Sequence, residues 1–175
     1  MIPYTIRNAE MTDLEAVARV HIASWRTTYG GLVETSWFDQ MERNLDRRVQ
    51  ARRERLPRTD VHTLVMTSPG GLVVGFADVG PLDGEDPRFD GELYAVYLLK
   101  GWQGLGGGRA LVHAGAAWLA QQGFRSMKVW VLRDNPSRMF YQRLGAEFVE
   151  HRPITIGTQT LAEEAYGWRQ LNTFV

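Results

Sequence analysis

The run Gln103-Gly104-Leu105-Gly106-Gly107-Gly108 carries the clearest chemistry in the chain. It follows an apolar, strand-like segment, 92–99, and opens an Ala/Leu-rich segment, 109–122, that reads as a helix. Strand, glycine loop and helix N-terminus together turn a row of backbone N–H groups toward a phosphate. Glycine leaves room for close approach and tolerates positive φ. The expected ligand is therefore phosphorylated, with residues 103–108 and Arg109 around its phosphates. Two common phosphate motifs do not match. A Walker A loop requires Lys followed by Ser or Thr after the glycines, and neither pair occurs here. A dinucleotide fingerprint started at Gly104 and Gly106 meets Arg109 where its third glycine belongs, and no acidic residue stands about 20 positions on, near Lys128.

The elements around this loop define its setting. Residues 4–8 read as a short strand. Thr12-Asp13-Leu14-Glu15 is a capping box that starts a helix bearing Leu14, Val17, Ala18 and Ile22 and stopping near Gly30-Gly31. A second helix is expected over 37–56, closed by Pro57. Strands 61–67 and 72–79 flank the turn Pro69-Gly70-Gly71, and 80–90 is loop. Gly123 caps the 109–122 helix, and 126–132 is an apolar strand. Asn135 and Pro136 begin another helix as N-cap and first position, ending at Gly145. Strands 147–156 and 161–171 close a hairpin around Gly157. The order β-α-α-β-β-β-α-β-α-β-β predicts an α/β protein of the α+β type. A mixed central sheet of about seven strands, flanked by about four helices, forms one domain over 1–175.

Composition narrows the function. The 175 residues suffice for one packed core, and 44% are hydrophobic and 23% charged. Twenty basic residues balance twenty acidic ones, so no global field points to nucleic acid. Seven arginines between Arg43 and Arg58 are mixed with Glu42, Asp46 and Glu54, as on a solvated helix face. There is no cysteine, and the four histidines lack metal-ligand spacing, so no metal is expected. No signal-like N-terminus or membrane-length apolar run is present, and the expected location is cytoplasmic, without a membrane partner.

The spacing Gln103-x-x-Gly106-x-Gly108 resembles the pyrophosphate-binding motif of the GCN5-related N-acetyltransferase (GNAT) family, which binds acetyl-CoA. The stretch Asn135-Pro-Ser-Arg-Met-Phe-Tyr141-Gln-Arg-Leu-Gly145-Ala146 is similar to the family pattern N-x-x-[A/S]-x-x-[F/L]-Y-x-x-x-G-[F/A]. The element order is also that of the GNAT fold, over essentially the whole chain. Arg138-Met139 and Lys100-Gly101 depart from the residues usual at those places. The resemblance implies that strand 92–99 splays from strand 126–132 and that pantetheine pairs with the backbone of Val96, Tyr97 and Leu98. It implies that Asn135 bonds the pantetheine arm and that Tyr141 protonates the departing thiolate. A phenol with a pKa of about 10 keeps its proton at neutral pH and can donate it. Glu92 is then the expected general base, with Asp78 as the alternative.

The acceptor is read from weaker signs. Asp78, Asp83, Glu85, Asp86, Asp90 and Glu92 form an acidic stretch that favours a cationic amine. Ser24-Trp25-Arg26, Tyr29 and Gly31-Leu32 resemble a segment of one GNAT subgroup that roofs the acceptor site, which makes Trp25 and Tyr29 candidate lining residues. The expected activity is acetyl transfer from acetyl-CoA to a primary amine of a small cationic acceptor, with a homodimer as a further expectation. Polyamine, aminoglycoside, amino acid and protein N-terminus or lysine stay open. A regulatory module that binds acyl-CoA without turnover is the rival reading.

Overall fold

The structure, a computed structural model, describes residues 4–171. Seven strands form one sheet: β1 (Thr5–Asn8), β2 (His62–Thr67), β3 (Val73–Pro81), β4 (Gly91–Leu98), β5 (Met127–Leu132), β6 (Glu147–Ile156) and β7 (Gln159–Trp168). The order across the sheet is β1-β2-β3-β4-β5-β7-β6, and every neighbouring pair is antiparallel except β4 with β5. The helices are α1 (Leu14–Tyr29), α2 (Thr35–Arg43), α3 (Leu45–Arg55), α4 (Gly107–Gln121) and α5 (Arg138–Arg143).

The sheet is covered on both faces. On one face Leu111, Val112, Ala116 and Leu119 of α4 pack on Ala77, Val79, Leu93, Met127, Val129 and Val131. Gly115 lets α4 approach closely, because a Cβ there would lie 2.8 Å from Val79 Cγ1. On the other face Val17 and Val20 of α1 pack on Val65 and Phe76. α3 joins α1 on that face, where Arg52 pairs with Asp78 of β3 at 3.1 Å.

Three local expectations are corrected. The helix expected over 37–56 is two helices broken at Asn44, whose φ of −97° and ψ of 19° leave the helical region. α2 thereby keeps Phe38 and Met41 buried, while α3 turns a different, arginine-rich face inward. The break brings the described helices beside the sheet to five. Thr12 does not cap α1: a short 3-10 turn spans Met11–Asp13, where Asp13 accepts the Glu10 N–H at 2.8 Å and ion-pairs with Arg7 at 2.6 Å. Asp13 holds both partners at once, which a threonine hydroxyl could not. Asn135 likewise starts a turn and not the helix proper, which begins three residues later at Arg138.

The feature that matters most for function lies between β4 and β5. These strands pair only at Gly91 with Met127 and at Glu92 with Lys128, and then diverge. Tyr94 is the cause in β4. Val79 pairs with Leu93 and Asp78 with Ala95, so Tyr94 is an extra residue, a bulge. A bulge bends its strand and sharpens the local twist, and this one falls where the β4–β5 ladder stops.

Candidate active site

The divergence opens a cavity of about 580 Å³ between β4 and β5. The Leu99 N–H bonds the Val74 carbonyl, which fixes the parity of β4. The N–H groups of Val96 and Leu98 therefore face the gap rather than β3. Leu98 also presents its carbonyl there, where it accepts bonds from Gln103 Nε2 (3.0 Å) and Ser24 Oγ (3.1 Å). This edge can add an extended ligand as a strand would.

The cavity ends at the glycine loop. Gly104 and Gly106 take φ of +75° and +86°, conformations that L side chains rarely adopt. Their turn delivers the chain into α4 at Gly107, so the unpaired N–H groups of the first helical turn face the cavity. Gly104, Gly106, Gly108 and Arg109 line it. Gly107 serves packing instead: a Cβ there would meet Met66 Sδ at 2.7 Å. Leu105 is 40% exposed at the tip of the loop. The N-terminus of a 15-residue helix with a loop of free N–H groups fits a diphosphate. The edge of β4 beside it fits an amide-bearing arm, so the residues present fit coenzyme A.

Polar side chains gather at the other end. Asn135 donates from Nδ2 to Tyr29 Oη at 3.0 Å, and its Oδ1 accepts the Ser137 N–H at 2.9 Å. The Tyr29 hydroxyl interacts with that of Tyr97, which accepts from Trp25 Nε1 at 2.9 Å. Trp25 thus stands behind the lining and holds Tyr97, while Tyr29, Tyr97 and Asn135 line the cavity themselves. Tyr141 lines the same cavity from α5. Among the described residues nothing hydrogen-bonds its hydroxyl, and burial raises its pKa well above the ordinary phenol value.

Glu92 and Asp78 are outside the lining. Glu92 is buried two residues before Tyr94, and its carboxylate accepts the Asp83 N–H at 3.0 Å. Burial raises its pKa above the ordinary glutamate value. Asp78 is held by Arg52 (3.1 Å) and Thr63 Oγ1 (2.6 Å). The acidic stretch around them is engaged internally. Asp86 is bound by Arg88 (2.8 Å) and Lys128 (3.1 Å), and Asp90 by the Ser126 N–H (2.9 Å) and hydroxyl (2.6 Å). With Asp78 and Glu92, four of the six carboxylates expected to form a negative rim are turned into the fold instead.

Trp130 of β5 also lines the cavity and escaped sequence reasoning, as did the bulge that brings Tyr94 there. Trp130 sits in an alternating apolar strand and carried no motif. Its place opposite β4 follows only from the β4–β5 divergence. Among the described residues no group of His, Asp or Glu is arranged to hold a metal, and no helix is long and apolar enough to cross a membrane.

A profile of the acetyltransferase (GNAT) family matches residues 22–146, which include the glycine loop, Asn135 and Tyr141. YuaI, an uncharacterized N-acetyltransferase of Bacillus subtilis, is 37% identical over 96% of this chain and 94% of its own length. PaiA N-acetyltransferase of Thermoplasma acidophilum, solved with coenzyme A, superposes with a TM-score of 0.70 at 19% identity, covering 94% of this chain and 99% of PaiA. YncA of Salmonella typhimurium, solved with acetyl-CoA, superposes with a TM-score of 0.67 at 21% identity, covering 97% and 94%. The profile match, spanning most of the described chain, and a relative alike from end to end show that this chain belongs to the GNAT acetyltransferase family.

Proposed function

We propose that this protein is an N-acetyltransferase that moves the acetyl group of acetyl-CoA to a primary amine by direct attack. The observation that carries the reading is the divergence of β4 from β5, which puts a bare strand edge, a glycine loop and Tyr141 on one cavity. Bound acetyl-CoA supplies the acetyl group as a thioester. The N–H groups of residues 104–109 hold its diphosphate, and Val96 and Leu98 pair with the arm. A gap-facing N–H of β4 stabilises negative charge on the thioester oxygen. Asn135, fixed by Tyr29 and Ser137, fixes the far end of the arm.

The reaction forms an N–C bond and breaks a C–S bond. Two protons must move: one leaves the ammonium and one reaches the sulfur. Glu92 takes the first, through water, since it lies below the lining and not on it. Its raised pKa makes it a stronger base than an exposed glutamate. Asp78 is less suited, because Arg52 and Thr63 already occupy its carboxylate. Tyr141 supplies the second proton, and burial keeps that proton in place until it is needed. A module that only binds acyl-CoA has no use for an unbonded hydroxyl at the sulfur end.

The test is Tyr141→Phe. It should lower kcat by about 10²–10⁴-fold, the usual worth of a lost acid–base group. Acetyl-CoA affinity by calorimetry should stay near wild type. Unchanged kcat would remove Tyr141 from the mechanism.

A further inference from the structure

The charge at the acceptor end is the opposite of what the acidic stretch suggested. Tyr94 and Trp130 each stand two positions beyond the last β4–β5 pair, Glu92 with Lys128, so they flank the mouth of the gap. Both line the cavity. Val129 and Val131 face α4, so Trp130 projects from the other face, the one covered by α1 and α3. Tyr94 is on that face too, with the Arg55 guanidinium of α3 at 4.6 Å from its ring centroid. Arg152 of β6 lies 3.8 Å from a Trp130 ring centroid. Each aromatic wall of the mouth therefore carries a stacked arginine.

Both guanidiniums lie behind the lining, Arg152 in an ion pair with Glu163, and both keep donors to spare. Among the described residues the Arg55 guanidinium makes no hydrogen bond and no ion pair. Glu163 takes only the Nε–H of Arg152, at 2.6 Å, and leaves both terminal amino groups unbonded. Stacking holds a guanidinium flat while its edge N–H donors stay free, the arrangement that grips a carboxylate with two parallel bonds. The surplus extends along the inner face of α3. Arg48, Arg52 and Arg55 are spaced for one helix face, and Asp78 is the one carboxylate bonded to any of them among the described residues. His21 registers this field from α1: burial, Arg52 and Arg48 push its pKa down to about 3.

We propose that the amine acceptor carries a carboxylate, held at this mouth by the guanidinium groups of Arg55 and Arg152. The inference rests on the acetyltransferase reading and names the acceptor class for the same site, an amino acid or a relative of one. Arg152 is the primary contact and Arg55 the second, across the gap. A dication such as a polyamine meets like charge here, which costs affinity.

The test uses matched pairs that differ by the carboxylate alone: phenylalanine with phenethylamine, tyrosine with tyramine, and spermidine as the polycation. Thiol release should give a kcat/KM at least about tenfold higher for the carboxylate member, since a charge held by hydrogen bonds contributes more than a neutral contact. In an Arg55→Gln/Arg152→Gln variant that preference should collapse toward one, while acetyl-CoA affinity stays put. Arg152→Lys should recover part of it. The same pairs titrated by calorimetry into CoA-saturated protein give a reading independent of turnover. Selective binding of the amino acid without thiol release would uphold this inference and sink the transferase reading. Equal or better use of the decarboxylated amine or spermidine, equal binding of both members or of neither, or a preference that survives the double variant would overturn it.

Discussion

In the proposed mechanism Glu92 and Tyr141 divide the proton work, and burial acts on both in the same direction. Desolvation disfavours the charged form, so it raises the carboxyl and the phenol alike. For Glu92 the result is a better base, active above its raised pKa. For Tyr141 it is an acid that stays loaded. A prediction follows for Glu92→Gln, which keeps the shape and removes the acceptor. An amine with a pKa of about 10 is mostly protonated at neutral pH, so the lost base hurts most there. As pH rises toward the amine's pKa, solvent supplies the free amine. The kcat/KM deficit of the variant should therefore shrink steadily from pH 7 to pH 10. Profiles that run parallel would contradict the base role. At this scale the sequence was informative wherever residues lie close in the chain, as Asn135 and Tyr141 do. It was silent on Trp130 and Arg152, which meet only because β5, β7 and β6 stand side by side.

The elements convert these residues into a site through one bulge and one loop. Tyr94 bends β4 away from β5, and Gly104 and Gly106 turn the chain into α4. The glycines were legible, since positive φ asks for glycine. The bulge was not, because Tyr94 sits in an apolar run without Gly or Pro to mark it. The break at Asn44 escaped notice for a related reason: a charged helix reads as continuous until its inward face is known. Gly106→Asp tests the loop. Asp tolerates the left-handed region better than most residues, so the fold should survive. Its carboxylate would face the diphosphate, and like charges brought together cost several kcal/mol. Acetyl-CoA binding should weaken by about 100-fold or more by calorimetry. Near-wild-type affinity in a folded variant would place the diphosphate elsewhere.

Across the whole molecule the sheet separates two tasks. The α4 face is apolar, and α4 carries the glycine turn proposed to hold the diphosphate at its N-terminus. The α1–α3 face is aromatic and rich in arginine, and it surrounds the end of the same gap proposed to take the acceptor. Element order alone indicated the first arrangement, since a strand, loop, helix and parallel strand bring the loop to the strand ends. The second depends on which charges pair, and that required the folded chain: the net charge of zero gives no hint that Asp78, Asp86, Asp90 and Glu92 turn inward while, among the described residues, Arg48 and Arg55 form no ion pair. The central claim is that both tasks meet in one transfer. Its most direct measurement mixes wild-type protein, acetyl-CoA and an amino acid, and follows free thiol together with the mass of the amine. The account predicts one thiol released for each amine that gains an acetyl group, and no release without the amine. Acetyl-CoA that binds and persists unconsumed across the amine panel would contradict it.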